Sequence, residues 1–172
     1  DATPAAVVFA VNGGSSTIKF ALFADHTAAQ SLSGVVTGIG TPIPVLVVDD
    51  AQASRRRRLE MPDASLRAIV ERILEAVESC PQWASLACIV HRVVHGGEQF
   101  DRPTRITTNV IAGLRGLIPL APNHLPDEIA LIETFMALRP QVPQVACFDT
   151  AFHHDLPPVS RTLPVPPSAG LR

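Results

Sequence analysis

Tyrosine is absent from this chain of 172 residues, tryptophan occurs once, and Lys19 is the only lysine among 14 lysines and arginines. Arginine carries nearly all the positive charge, a compositional bias with no functional content of its own. No sign of charge dominates. A net charge of −2 leaves no overall attraction to nucleic acid or to an anionic membrane. Long apolar runs are missing too, and none approaches the roughly 20 residues needed to span a bilayer. Cysteine is sparse. Cys80, Cys88 and Cys147 are odd in number, widely spaced and without a CxxC pair, so neither a disulfide framework nor a structural zinc site is expected. They are expected to be reduced, small core residues in a cytoplasmic protein. The N-terminal "DATPAAVVFA" has no basic region ahead of its apolar run and makes a poor signal peptide. No GxxxxGK[ST] phosphate loop occurs, and no internal repeat.

What remains is an ordinary globular composition, 47% hydrophobic and 17% charged, long enough to bury one real core. Val7–Asn12 and Thr17–Phe23 are β-rich runs joined by a Gly-rich turn, the pattern of a hairpin. Ser31–Ile39 and Ile43–Val48 predict two further strands. The "RRRR" at 55–58 is expected in a solvated loop or strand edge, since a nucleic-acid patch would want more basic residues and aromatic partners. Asp63 or Ser65 can cap a helix running to about Ser79, with Leu66, Ile69, Val70, Ile73, Leu74 and Val77 at helical spacing. Ser85–Val94 predicts a buried strand and Thr108–Leu117 a short helix. A third helix is expected from Pro126 to shortly before Pro140, and a last strand over Gln144–Phe148. An antiparallel start followed by α/β crossovers predicts a mixed sheet with flanking helices.

Four segments carry possible chemistry. In the loop from Asn12 to Lys19, Gly13 and Gly14 allow close backbone approach, Ser15, Ser16 and Thr17 supply hydroxyls, and Lys19 supplies charge. Such a loop suits a phosphate nest, and it equally suits a plain Gly-Ser hairpin turn. In "HRVVHGGEQF", strand alternation sets Arg92 and Val94 on one face and His91, Val93 and His95 on the other. An arginine late in an apolar strand calls for an anionic partner, either a ligand or an internal carboxylate such as Glu98 or Asp149. His95 reads as a hydrogen-bonded strand-end residue. In "APNHLPDE", His124 stands at a helix N-terminus, where a cationic imidazole is disfavoured. In "ACFDTAFHHDLP", Asp149 follows a buried strand, at the carboxyl end where open α/β sheets place ligand-binding groups. The adjacent His153, His154 and Asp155 make poor joint metal ligands, because neighbouring strand residues point apart.

Together these segments resemble the acetate kinases and their propionate and butyrate kinase relatives. "VNGGSSTIKFALF" is similar to the family's Asn-x-Gly-Ser-Ser-Ser-x-Lys-Phe loop. "HRVVHGGEQF" is similar to a family signature, "LAPNHLP" to its Ala-Pro-Leu-His-Asn-Pro run, and "CFDTAFHHDLP" to its Phe-Asp-Thr-Ala-Phe-His segment. The resemblance implies an α/β fold: a ribonuclease-H-like mixed sheet with flanking helices, one half of the sugar-kinase/actin-like ATPase fold. It implies reversible phosphoryl transfer from ATP to acetate or another short-chain carboxylate, with Mg2+. By position, Asn12, Ser15, Thr17 and Lys19 would lie near phosphate, Arg92 would contact the carboxylate and the moving phosphoryl group, and Val94 would line the acyl pocket. His124 would stabilise phosphoryl charge. Asp149 would be the essential acid, holding Mg2+ with Asn12 partly through water. Asn123 stands where the family has an apolar residue near the acyl methyl. The resemblance further implies an acyl-substrate domain over 1–156, a linker beginning at 157–172, a nucleotide-binding half beyond it and a homodimeric full-length protein. On that expectation the 172 residues alone are inactive. The alternative is a non-catalytic half-domain that binds an anion or acyl phosphate.

Overall fold

Apolar side chains at every second position give the chain its first layer. A computed structural model describes residues 6–24 and 29–153 together with Pro157. Strand β1 (Val7–Gly13) turns Val7, Phe9 and Val11 inward and pairs antiparallel with β2 (Thr17–Ala24). The meander continues through β3 (Gln30–Thr37), β4 (Val45–Asp50) and β5 (Arg55–Glu60), each antiparallel to the one before. The four arginines thus occupy the outermost strand, whose solvated edge discourages further pairing. Arg56 lies 3.6 Å from Asp49, and Arg58 lies 3.3 Å from Glu60.

Helix α1 (Leu66–Glu78) starts where expected, with Ser65 Oγ accepting from Ala68 N at 3.3 Å. It returns the chain to β6 (Leu86–Val93), which lies parallel beside β1. A two-residue strand, β7 (Thr104–Arg105), was not legible in the sequence and flanks the sheet on its other edge. Helix α2 (Thr108–Gly116) is capped by Thr107, one residue before the segment predicted for it. Helix α3 (Leu125–Leu138) leads into β8 (Gln144–Phe148), parallel to β6. The sheet order is β5-β4-β3-β2-β1-β6-β8-β7, so the predicted mixed sheet is borne out.

Among the described residues all three helices cover the same face. Phe9, Ile69, Ile73, Leu131 and Phe135 belong to one buried cluster, and Val93, Leu114, Leu125, Ile132 and Phe148 to a second, beside it. Phe135 sits at the centre, with its ring centroid 6.0 Å from that of Phe9 and 5.5 Å from that of His91. Close approach of α3 explains Gly13: a Cβ there would lie 2.5 Å from Leu131 Cδ2. The opposite face carries a groove of about 460 Å³ with Ala10, Val35, Val90 and Cys147 in its lining. Of the cysteines, only Cys80 is in the core. Cys88 and Cys147 are half-buried, a correction to the expectation of three core thiols, because strand alternation turns them away from the helices.

His91 is 2% exposed and hydrogen-bonds through Nε2 with Gln144 Oε1 at 2.7 Å. Burial pushes its pKa down to about 4 from the ordinary 6.5. The unfolded chain takes up this proton near pH 6.5, whereas the folded chain resists until about pH 4. The stabilisation is therefore complete above pH 6.5 and is lost as pH falls toward 4, by roughly 3 kcal/mol over that window. An NMR titration of the His91 ring should show it neutral at pH 5.5, and a midpoint near 6.5 would contradict this.

Candidate functional site

Strand register assembles a row of polar groups on the face away from the helices. Asn12 of β1 is directly opposite Lys19 of β2 and, on its other side, opposite Arg92 of β6. With neighbouring strands roughly 4.8 Å apart, the backbones bearing Lys19 and Arg92 stand about 10 Å apart with Asn12 between them. All three side chains line the same groove. The next strand places Cys147 opposite Arg92, and two residues later the chain reaches Asp149, first residue of a short 3-10 turn.

There the guanidinium meets the carboxylate. Arg92 Nε donates to Asp149 Oδ1 at 2.9 Å, and Nη2 donates to Oδ2 in the same fork. This pairing raises the Arg92 pKa. Both side chains keep 42% of their surface exposed. Arg92 is therefore not the buried strand arginine that its apolar neighbours suggest, because alternation turns it to the open face. Of the two internal partners considered, Asp149 is the one engaged.

The segment after β6 is bolted down by side chains where the ladder ends. Val94 N donates to Glu128 Oε2 at 3.1 Å, Gly96 N to Thr150 Oγ1 at 3.0 Å, and Gly97 N to His95 Nδ1 at 2.8 Å. His95 is the hydrogen-bonded strand-end residue it was expected to be. Gly96 has no room for a side chain, since a Cβ would lie 2.3 Å from the Phe100 carbonyl oxygen and 3.0 Å from Phe148 Cγ. Gly96→Ala is expected to cost about 1–3 kcal/mol in urea unfolding. Gly116→Ala, where a Cβ meets nothing within 4 Å, should leave the midpoint unchanged or raise it.

Of the two readings of the loop at 12–17, the backbone takes the plain hairpin turn. Gly14 N donates to the Thr17 carbonyl at 2.8 Å, closing an ordinary hairpin turn. Among the described residues the positive-φ glycines are Gly38, Gly40 and Gly97, so neither Gly13 nor Gly14 adopts the left-handed conformation of a nest. Gly13 serves helix packing instead. Asn12, Ser15, Ser16 and Lys19 stand exposed around this turn, and Thr17 is half-buried.

His124 and Asn123 are both exposed, in the turn that opens α3. His124 is the N-cap residue and makes no side-chain cap bond. One turn further, Glu128 is 3% exposed. Its Oε1 is buried without a hydrogen-bond partner. Burial raises its pKa, opposed by the Val94 amide and by the positive charge of Arg92 and His124. In the sequence, Glu128 reads only as a first-turn acid favourable to the helix dipole. The available signal is its spacing: three residues after Leu125 and four before Ile132, it shares their buried helix face. Glu98 is exposed. The side chain of His153, and all of His154 and Asp155, lie outside the described residues, as does the chain from 158 to 172. No group of three or more His, Cys, Asp or Glu residues is arranged to hold a metal among the described residues.

A family model described as the acetokinase family matches residues 7–170. The chain belongs to the acetokinase family. It is 36% identical over 156 residues to an acetate kinase of Deinococcus radiodurans, a match spanning 91% of this chain and 39% of that one. It is 38% identical over 165 residues to an acetate kinase of Rhodopseudomonas palustris, spanning 93% and 41%. Among solved structures it resembles a propionate kinase from Francisella tularensis, with a TM-score of 0.83 at 29% identity over 94% of this chain and 41% of that one. The Porphyromonas gingivalis acetate kinase gives 0.83 at 30% identity over 94% and 42%. The fold is thus that of an actin-like ATPase half-domain, and the chain spans about two fifths of the length of these acetokinase relatives. No helix among the described residues is long and apolar enough to cross a membrane.

Proposed function

We propose that this chain is the acyl-substrate half of an acetate-kinase-type phosphotransferase, transferring a phosphoryl group between ATP and the carboxylate of acetate or a similar short acid. The observation that carries this reading is the meeting of Arg92 and Asp149 at adjacent strand ends, beside Asn12 and Lys19 on one open face. Phosphoryl transfer asks a protein for positioning and charge neutralisation more than for covalent chemistry. The planar fork of Arg92 suits a carboxylate or phosphoryl group. An incoming anion would compete with Asp149 for that fork and free the carboxylate. Val94 would border the acyl group, with Asn123 at the mouth of that pocket. His124 would face phosphoryl oxygens from the start of α3. Ser15, Thr17 and Lys19 would approach the phosphate chain from the hairpin. Acetate is already an anion, so no strong base is needed, and Asp149 acts as an orienting group.

Asn12 and Asp149 offer the hard oxygen donors that Mg2+ takes one or two at a time, completing its shell with water and phosphate. When bound there, Mg2+ would neutralise developing charge on the phosphoryl oxygens. ATP would be the co-substrate, held chiefly by a nucleotide-binding half, with 1–156 as the acyl domain and 157–172 leading toward that half.

Calorimetric titration of the 172-residue chain with acetyl phosphate, acetate and ATP tests the reading. Acetyl phosphate should bind, and turnover of ATP with acetate should be negligible without the remaining clamp. Absence of any acetyl phosphate binding would overturn the site. Full turnover by this chain alone would overturn its assignment as a half. Binding of simple anions alone, with no preference for the acyl compound, would favour a non-catalytic anion-binding module.

A further inference from the structure

Beyond Val93 the strand β6 has no ladder partner, yet the next residues must hold Arg92 and Val94 in place. The final register pair is Val93 with Phe148. The Val94 amide therefore finds its acceptor in a side chain, the carboxylate of Glu128 from the first turn of α3. That carboxylate is 3% exposed, and its second oxygen has no partner. A buried acceptor left unpaired is costly, and a fold seeking only stability has better ways to end a strand. Glu128 also feels the charges of Arg92, His124 and Asp149, so it stands near three charged groups of the proposed site while buried below its surface.

We propose that Glu128 is a positioning residue, which fixes the Val94 amide and thereby sets the aim of Arg92 and the acyl-facing position of Val94. It does not touch substrate. It links the start of α3 to the end of β6, so that His124 and Arg92 keep one spacing while ligands come and go. This inference rests on the anion site proposed above, and its test separates the two.

The Kd for acetyl phosphate is measured on the wild-type chain, Glu128→Gln and Glu128→Ala, with thermal unfolding alongside. Glutamine keeps an acceptor oxygen for Val94 N–H and should bind within threefold of wild type. Alanine removes the acceptor and should bind at least tenfold more weakly. In 15N spectra the wild-type Val94 amide should be protected from exchange although it lies past the last ladder pair. It should also shift when acetyl phosphate is added. If Glu128→Ala does not fold, those wild-type observations decide: an unprotected Val94 amide, or one that ignores ligand, overturns the proposal. A folded Glu128→Ala with unchanged Kd overturns it too, as does a Glu128→Gln as weak as alanine, which would move the role to charge. Failure of the wild-type chain to bind sinks the anion site itself.

Discussion

Replacing Arg92 by alanine should weaken acetyl phosphate binding by at least tenfold to a hundredfold, about 1.4 to 3 kcal/mol, while leaving the fold almost untouched. The two halves of this expectation have different physical origins. As an internal ion pair, Arg92 and Asp149 are each 42% exposed, and such half-solvated pairs contribute only about 0–1 kcal/mol to stability. As a ligand site, the same guanidinium offers two parallel donors to an anion, and charge-assisted forks are the strong class of hydrogen bond. Lysine is a point charge without that geometry, so Arg92→Lys should recover only part of the loss. Calorimetry and urea unfolding on the same samples separate the outcomes. A large fall in stability with unchanged binding would make the pair purely structural. Arg56→Ala, on the outer strand β5, serves as the control and should change neither.

Phe135→Ala should have the largest effect on stability. The ring is fully buried and packs edge-on against Phe9 and His91, between α3 and the sheet. Removing a buried phenylalanine costs about 3–5 kcal/mol through lost transfer energy and the cavity left behind. Domains of this kind have about 5–15 kcal/mol in total, so the variant should sit near the edge of folding at 25 °C. Its urea midpoint should fall steeply with little change in slope. A loss below about 1 kcal/mol would mean that α3 repacks freely over β1 and β6. Because α3 carries Glu128 and its N-terminus places His124, residual folded Phe135→Ala should bind acetyl phosphate more weakly as well.

The hairpin, the α1 boundary and β8 were readable because each is written in local terms: alternation in β1 and β2, the Ser65 cap, and an apolar run bounded by Pro143 and Asp149. Strand β7 was not, since two residues carry no period and are held only by the edge of β8. The glycines of the 12–17 loop left two readings open because glycine serves both close packing and positive φ, and only the position of Leu131 shows which one applies at Gly13.

The motifs alone named Arg92, His124 and Asp149 as candidates and indicated the acetokinase resemblance, because residue type and order survive in one dimension. Which face Arg92 occupies, and whether its carboxylate is Glu98 or Asp149, depended on how parallel strands β6 and β8 lie side by side, a contact between residues 57 positions apart. The role of Glu128 was equally invisible. A glutamate in a first helical turn is ordinary, and only the packing of α3 against β6 buries it and turns it toward the Val94 amide.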